Sequence, residues 1–368
     1  MRGFWPVFRK EAVQMIRDKG SLRFALLTPA FQLVLFGLID MNVRHVPTVV
    51  FDQSRTAQSR ELINDFVNTS YFDVVATVPS HEALRQYIVA GRAAVGVEIP
   101  PDYARRRLND QPADFLVLID GSDSTISSQA LAAANGAVLS RSVGELADKA
   151  GVKDIPIRLH PLLLFNPDSR TANLLIPGLV AILLTFSGTL LAAFAIVRER
   201  ERGTLEQLMV TPASPIAVIL GKLLPYLVLA FVQLIFVLLL MVFVFRVPIH
   251  GSVPLLLGLS TIYLFALLSL GLLVSSRART QMEAIQGAQA FLLPSIMLSG
   301  YFFPLSALPT PLRWIGRLLP ATHFIAIARG IIIRGATFPD LWRSVAALIV
   351  IAVVLVGAST RAFHKTIG

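Results

Sequence analysis

The run Ala172–Val197 constrains this chain more than any other feature, because it holds no charged side chain. A helix on the surface of a soluble protein keeps a polar stripe along one side. Roughly 20 consecutive apolar residues are instead what a bilayer crossing needs. Five further runs share the character: Ser21–Met41 (uncharged core Phe24–Ile39, with Pro29), Leu223–Phe245, Val253–Ser275, Ala284–Phe303 and Ser344–Thr360. Charged residues make up only 15% of the chain and mean hydropathy is +0.66, whereas an ordinary globular chain is about 25% charged. These runs predict a polytopic α-helical membrane protein with six transmembrane helices. The absence of cysteine excludes disulfides, zinc–thiolate sites, iron–sulfur clusters and thiol nucleophiles.

The formal charge of +10 raises the question of nucleic acid, and its distribution answers it. Residues 42–170 hold 13 Lys/Arg and 15 Asp/Glu, so the positive excess lies in the remaining segments, beside the apolar runs. It forms no phosphate-tracking surface, and nucleic acid is excluded as a partner. Basic residues flanking spans report orientation. Arg2, Arg9, Lys10, Arg17, Lys19 and Arg23 precede the first run, Arg198, Arg200, Arg202 and Lys222 follow the second, Arg277 and Arg279 the fourth, and Arg361 and Lys365 the sixth. Placing these on the inside makes both termini cytoplasmic. The first run then reads as a retained anchor, since Gly37–Val43 offers no small-x-small cleavage site.

Between the first two runs, residues 42–170 alternate strand and helix patterns, and so form an inserted, extracytoplasmic α/β domain. Strands are expected at Thr48–Phe51, Phe72–Val78, Ala93–Ile99, Phe115–Ile119 and Ile157–Phe165. Helices are expected at Ala57–Asn68, Ser80–Ala90 (Ser80 as N-cap), Pro101–Leu108 and Ser124–Ala150. Asp52, Asp120 and Asp123 end strands, where turn and cap roles suit them as well as catalysis does, and His81 and His160 lack metal-ligand spacing.

The most informative motif is Glu199-Arg200-Glu201-Arg202-Gly203-Thr204-Leu205-Glu206-Gln207-Leu208-Met209-Val210-Thr211-Pro212. Thr204 and Gln207 have capping-box spacing, Gly203 breaks the preceding helix, and Pro212 ends the new one. The pattern predicts a short amphipathic helix over 204–211, a rigid charged knob that a partner protein could grip. Polar groups within the apolar runs are few: Gln233 in the third, and Glu283, Gln286 and Gln289 at i, i+3, i+6 in the fifth. They are candidates for a translocation pathway, with interhelical hydrogen bonding as the alternative.

Glu201-Arg-Gly-Thr-x-Glu-x-Leu-x-x-Thr-Pro212 resembles the signature loop of ABC-2 type transporter permeases. So do Leu298-Ser-Gly-Tyr-Phe-Phe-Pro304, the Leu308–Ile315 and Leu319–His323 stretches, and Gly96–Tyr103 followed by Val117–Gly121. The resemblance spans the chain in order, closest to the bacterial branch with a large extracytoplasmic domain between spans one and two. It implies that Glu201, Arg202, Gly203, Thr204, Glu206, Leu208 and Pro212 dock a separate ATPase subunit, present in two copies, which binds ATP and magnesium. This chain would carry no cofactor and do no catalysis. The resemblance also implies a second permease copy or paralogue, and re-entrant helices on the outer side over 304–338.

Residues 1–20, with Phe8, Ala12, Met15 and Ile16 on one face, match the family's interfacial helix, which lies on membrane lipid. The 172–360 core would end in a cytoplasmic tail, 361–368. Consistent with a separate ATPase, the chain has no G-x-x-x-x-G-K-[ST] motif. A secondary transporter or channel usually keeps ionisable residues inside its spans, and apart from Glu283, near the start of the fifth, the cores of these runs are free of acids. A membrane-anchored sensor would leave four spans unexplained. The sequence therefore predicts the membrane permease of an ATP-driven exporter in a bacterial inner membrane, with a periplasmic adaptor as a further conceivable partner.

Overall fold

The computed structural model describes residues 4–39, 44–109, 111–149, 164–167, 170–201, 203 and 215–365. The chain divides into two compact units: Met41–Leu162, and Met1–Asp40 together with Leu163–Gly368.

The smaller unit is built on a four-stranded sheet of β1 (Val46–Asp52), β2 (Phe72–Thr77), β3 (Val95–Ile99) and β4 (Leu116–Ile119). Their order is β2-β1-β3-β4, with β1 parallel to β2 and β3, and β4 antiparallel to β3. The central strands are mostly apolar, as suits strands covered on both faces. On one face Val46, Val50, Val95 and Val97 pack with residues of α3 (Ala57–Asn68) and α6 (Ser124–Lys149), among them Leu62, Phe66 and Ala130. On the other, Val49 packs with Leu84 of α4 (His81–Val89). The short helix α5 (Tyr103–Leu108) adds Tyr103 to the first face.

Ser80 caps α4 by accepting from the Ala83 N–H. Asp123 accepts from the Thr125 and Ile126 N–H groups at the start of α6. Asp120 accepts from the Ser122 N–H, which holds its carboxyl below the usual carboxylate range. Asp52 receives the Arg55 N–H and the Ser59 hydroxyl. All three aspartates thus serve turns and caps. Residues 150–163, which hold most of the strand expected over Ile157–Phe165 and also His160, lie outside the described residues.

The larger unit is a helical bundle. Its helices are α1 (Phe4–Arg17), α2 (Lys19–Gly37), α7 (Thr171–Glu201), α8 (Pro215–Phe243), α9 (Val253–Arg277), α10 (Gln281–Leu298), α11 (Thr310–Arg317), α12 (Pro320–Arg334) and α13 (Phe338–Lys365). Among the described residues four are long and apolar enough to cross a membrane: α7, α9, Leu220–Phe243 of α8 and Phe338–Ala362 of α13. The α11–α12 pair is also apolar but bent by 77°, as a broken span or re-entrant loop would be. Of the other two expected spans, α2 offers only the shorter apolar stretch Ala25–Gly37. In α10, Gln281, Glu283, Gln286 and Gln289 dilute the apolar character of its 18 residues.

Helix α7 is the axis of the bundle. It packs against α2, α8, α9, α10 and α12, and 83% of its apolar window is buried, against 22% for α13 at the periphery. Tyr263 of α9 ties three helices together. Its hydroxyl lies 2.6 Å from the Thr185 hydroxyl and donates to the Ala181 carbonyl at 2.9 Å, while its ring stacks on Phe324 of α12 at 4.1 Å.

Two arginines around the bent pair, Arg329 and Arg313, turn toward the backbone after α10. Arg329 donates to the Gly300 and Tyr301 carbonyls at 2.9 and 3.0 Å, and Arg313 to those of Ser306 and Leu308 at 2.9 Å each. Both satisfy carbonyls beyond the end of α10 that have no helical partner.

Candidate functional site

Chemistry concentrates at the last turn of α7, where Arg198, Glu199, Arg200 and Glu201 follow one another. Successive residues on an α-helix point about 100° apart, so these four side chains fan around the axis and each finds a different neighbour. Arg198 donates to Asp18, between α1 and α2, at 2.6 Å, and lies over the Phe194 ring. Glu199 accepts from Lys10 of α1 at 2.7 Å, and Lys222 of α8 lies 3.8 Å away. Arg200 donates to the Ser275 and Ala278 carbonyls, a cation placed on the C-terminal end of α9. Glu201 accepts from the Gln281 backbone N–H at 2.7 Å and also from its side-chain amide, at the N-terminus of α10. One turn of helix therefore joins every element around it.

Lys222 is the centre of an ionic chain that is buried except at its Lys10 end. Its ammonium donates to Glu11 of α1 at 2.6 Å and to the Ala195 carbonyl at 3.3 Å, with side-chain exposures of 1% for Lys222 and 2% for Glu11. The order Glu11–Lys222–Glu199–Lys10 alternates in sign and spans α1, α7 and α8. Helix α1, expected from the sequence to lie on lipid, also has its Glu11 buried against α8. Sequence reasoning missed Glu11 and used Lys222 only as a marker of orientation. One signal was available: Glu11 is the only acid in a stretch of basic and apolar residues, Phe4–Arg17.

Of the residues expected to dock a partner, the structure describes two. Glu201 is bonded as above, and Gly203 closes α7 with φ 69°, its N–H reaching the Arg200 carbonyl at 3.1 Å. That left-handed conformation suits glycine, which has no Cβ to clash. Arg202, Thr204, Glu206, Leu208 and Pro212, and with them the helix expected over 204–211, lie outside the described residues.

The pathway candidates fall in three places. Gln233 is fully buried and donates to the Ser187 hydroxyl at 2.7 Å, and its Oε1 has no hydrogen-bond partner. Gln289 lines a cavity of about 500 Å³ between α2, α7 and α10, with Gln32, Ser187, Leu190, Phe194 and Gln281. Gln286 and Glu283 line a separate groove beside Val274 and Arg277 of α9. Glu283 also serves the start of α10: Thr280 accepts from its N–H at 3.2 Å, and its carboxylate accepts from the Arg279 N–H at 2.7 Å. Among the described residues no three His, Asp or Glu side chains are grouped as a metal site requires.

A family model described as ABC-2 family transporter protein matches residues 19–361, from the start of α2 into the last turns of α13. The chain belongs to the ABC-2 transporter family. Three curated Escherichia coli (strain K12) proteins align with this ABC-2 chain nearly end to end. The probable multidrug ABC transporter permease YbhR is 28% identical over 99% of this chain and 98% of its own length. The probable multidrug ABC transporter permease YbhS is 29% identical over 95% and 93%. The inner membrane transport permease YhhJ is 27% identical over 100% and 98%. The chain is thus the membrane permease subunit of an ABC transporter, a transport component that works with ABC ATPase subunits.

Proposed function

We propose that this permease exports its substrate across a bacterial inner membrane, as a dimer of permeases served by two copies of a separate ATPase. Both termini are cytoplasmic in this reading. Helices α2 and α10 complete six spans with the four long helices, α11–α12 is re-entrant from the outer side, and the 41–162 unit is extracytoplasmic. The Lys/Arg bias supports this orientation. The ATPase grips the loop after α7 through Glu201, Arg202, Gly203, Thr204, Glu206, Leu208 and Pro212.

One observation carries the reading. Glu201, last residue of α7 and first of the docking motif, holds the N-terminus of α10 through Gln281. Gln281 and Gln289 of that same helix line the cavity. A pull on the docking loop therefore has a short, hydrogen-bonded route to the cavity wall. About 500 Å³ suits a drug-sized molecule, and an apolar wall with a few amides suits an amphipathic one. The word multidrug in the names of YbhR and YbhS supports the same cargo class.

The test is co-purification of the ATPase with wild-type and Glu206→Lys permease, alongside vesicle transport. Reversing a charge at a contact repels the partner, so the variant should insert normally, bind the ATPase weakly and lose transport. Full association and full transport by the variant would remove the loop from the mechanism.

A further inference from the structure

We propose that the ionic chain Glu11–Lys222–Glu199–Lys10, buried except at Lys10, is a coupling clamp that makes α1 and both stems of the docking loop move as one body when the ATPase acts. The proposal rests on the reading that an ATPase grips the loop between Glu201 and Pro215. Glu199 stands on the stem that enters the loop and Lys222 on the stem that leaves it. Helix α1 reaches both with two adjacent residues, Lys10 to Glu199 at 2.7 Å and Glu11 to Lys222 at 2.6 Å. The backbones are close as well: a Cβ built on Gly221 would lie 3.1 Å from the Phe4 carbonyl and 3.1 Å from the Val7 Cβ.

Stability alone does not call for charges here. Desolvating ions is costly, and apolar side chains of similar volume hold a buried interface equally well or better. What apolar packing lacks is register. Methyl groups tolerate sliding, whereas a slip of α1 by one turn, about 5.4 Å, would leave Glu11 buried without its cation and take from Lys222 its nearest carboxylate. The clamp therefore transmits force along the stems rather than letting α1 slide over them. Glu11, Lys222, Glu199 and Lys10 are positioning residues, since none of them touches nucleotide or substrate.

The test uses the reconstituted permease–ATPase complex and reads permease-stimulated ATP hydrolysis, so no transported ligand is needed. Glu11→Leu with Lys222→Met removes one charge of each sign and leaves the Lys10–Glu199 pair in place. This double variant should insert and bind the ATPase as wild type does, while stimulated hydrolysis falls roughly tenfold, within the usual range of site-to-site coupling. Adding Val7→Cys and Gly221→Cys, in a chain with no other cysteine, allows a disulfide to pin α1 to α8. Oxidation should restore stimulation in the double variant, and reduction should abolish the rescue.

Wild-type stimulation by the double variant would overturn the proposal. So would loss of stimulation on oxidising the cysteine pair in an otherwise wild-type chain, since α1 and α8 would then need to separate. That second measurement decides alone if the double variant fails to fold. Should the wild-type permease bind no ATPase, the exporter reading falls first and the clamp falls with it, before any variant is made.

Discussion

Replacing Gln233 with leucine separates a pathway residue from a packing residue, and the structure sets the sign of the outcome. Gln233 lies fully buried in α8 behind Ser187, and it is Ser187 that reaches the cavity. The substitution removes the 2.7 Å bond to the Ser187 hydroxyl. Interhelical bonds of this kind are worth about 0.6 kcal/mol in a membrane. Ser187 keeps its own bond to the Leu183 carbonyl at 2.9 Å, so no hydroxyl hydrogen is orphaned. Against that loss, Leu removes the buried Oε1 that has no partner, a group whose desolvation costs about 1–3 kcal/mol. The net expectation is a stabilisation on the order of 1 kcal/mol, with transport and substrate preference unchanged. Thermal unfolding in detergent and vesicle transport check the two halves. A destabilised variant would refute the accounting, and altered substrate preference at unchanged stability would show that Gln233 faces the cargo.

Other consequences follow from the same geometry. A Cβ at Gly271 would lie 2.3 Å from the Thr189 carbonyl oxygen and 2.7 Å from the Ala192 Cβ, so Gly271→Ala must push α7 and α9 apart. It should cost about 1–3 kcal/mol, seen as a lower midpoint in detergent unfolding. Arg329→Met leaves the Gly300 and Tyr301 carbonyls without their donors. Hydrogen exchange over residues 299–309 should then quicken about tenfold, because the opening is local, as mass spectrometry would record. A reporter fused after Asn135 should read extracytoplasmic and one after Arg279 cytoplasmic, and a cytoplasmic signal at Asn135 would reverse the proposed orientation.

Elements written in local chemistry were legible in the sequence. The helix expected at Ala57–Asn68 lies at those residues, and Ser80 caps α4, because capping and apolar spacing act within a few residues. The long helices α7, α8, α9 and α13 follow from apolar length alone. Legibility fails where an element answers to its neighbours. Pro29 and the short stretch Ala25–Gly37 make α2 a weak signal by itself, yet it lies along α7 and walls the cavity. Helix α10 reads as a span diluted by glutamines until its partners are known, when Gln281 meets Glu201 and Gln289 meets the cavity.

The charges at the foot of α7 illustrate why a site of this kind resists reading from sequence. Arg198-Glu199-Arg200-Glu201 looks like a solvated knob because four charges in a row normally seek water. A helix that ends among five others offers a second solution, in which each charge points at a different protein partner instead. Nothing within a helical turn of Lys222 announces Glu11, since the pair is separated by 211 positions. The distinguishing sign is instead a mismatch of sign and setting: an acid in a basic amphipathic helix, and a lysine inside the start of an apolar one. A single charge that its local setting disfavours is costly to keep buried, so two such residues of opposite sign each imply a partner. In this chain they are each other's partner, and the close seating of α1 on α8 is what brings them together.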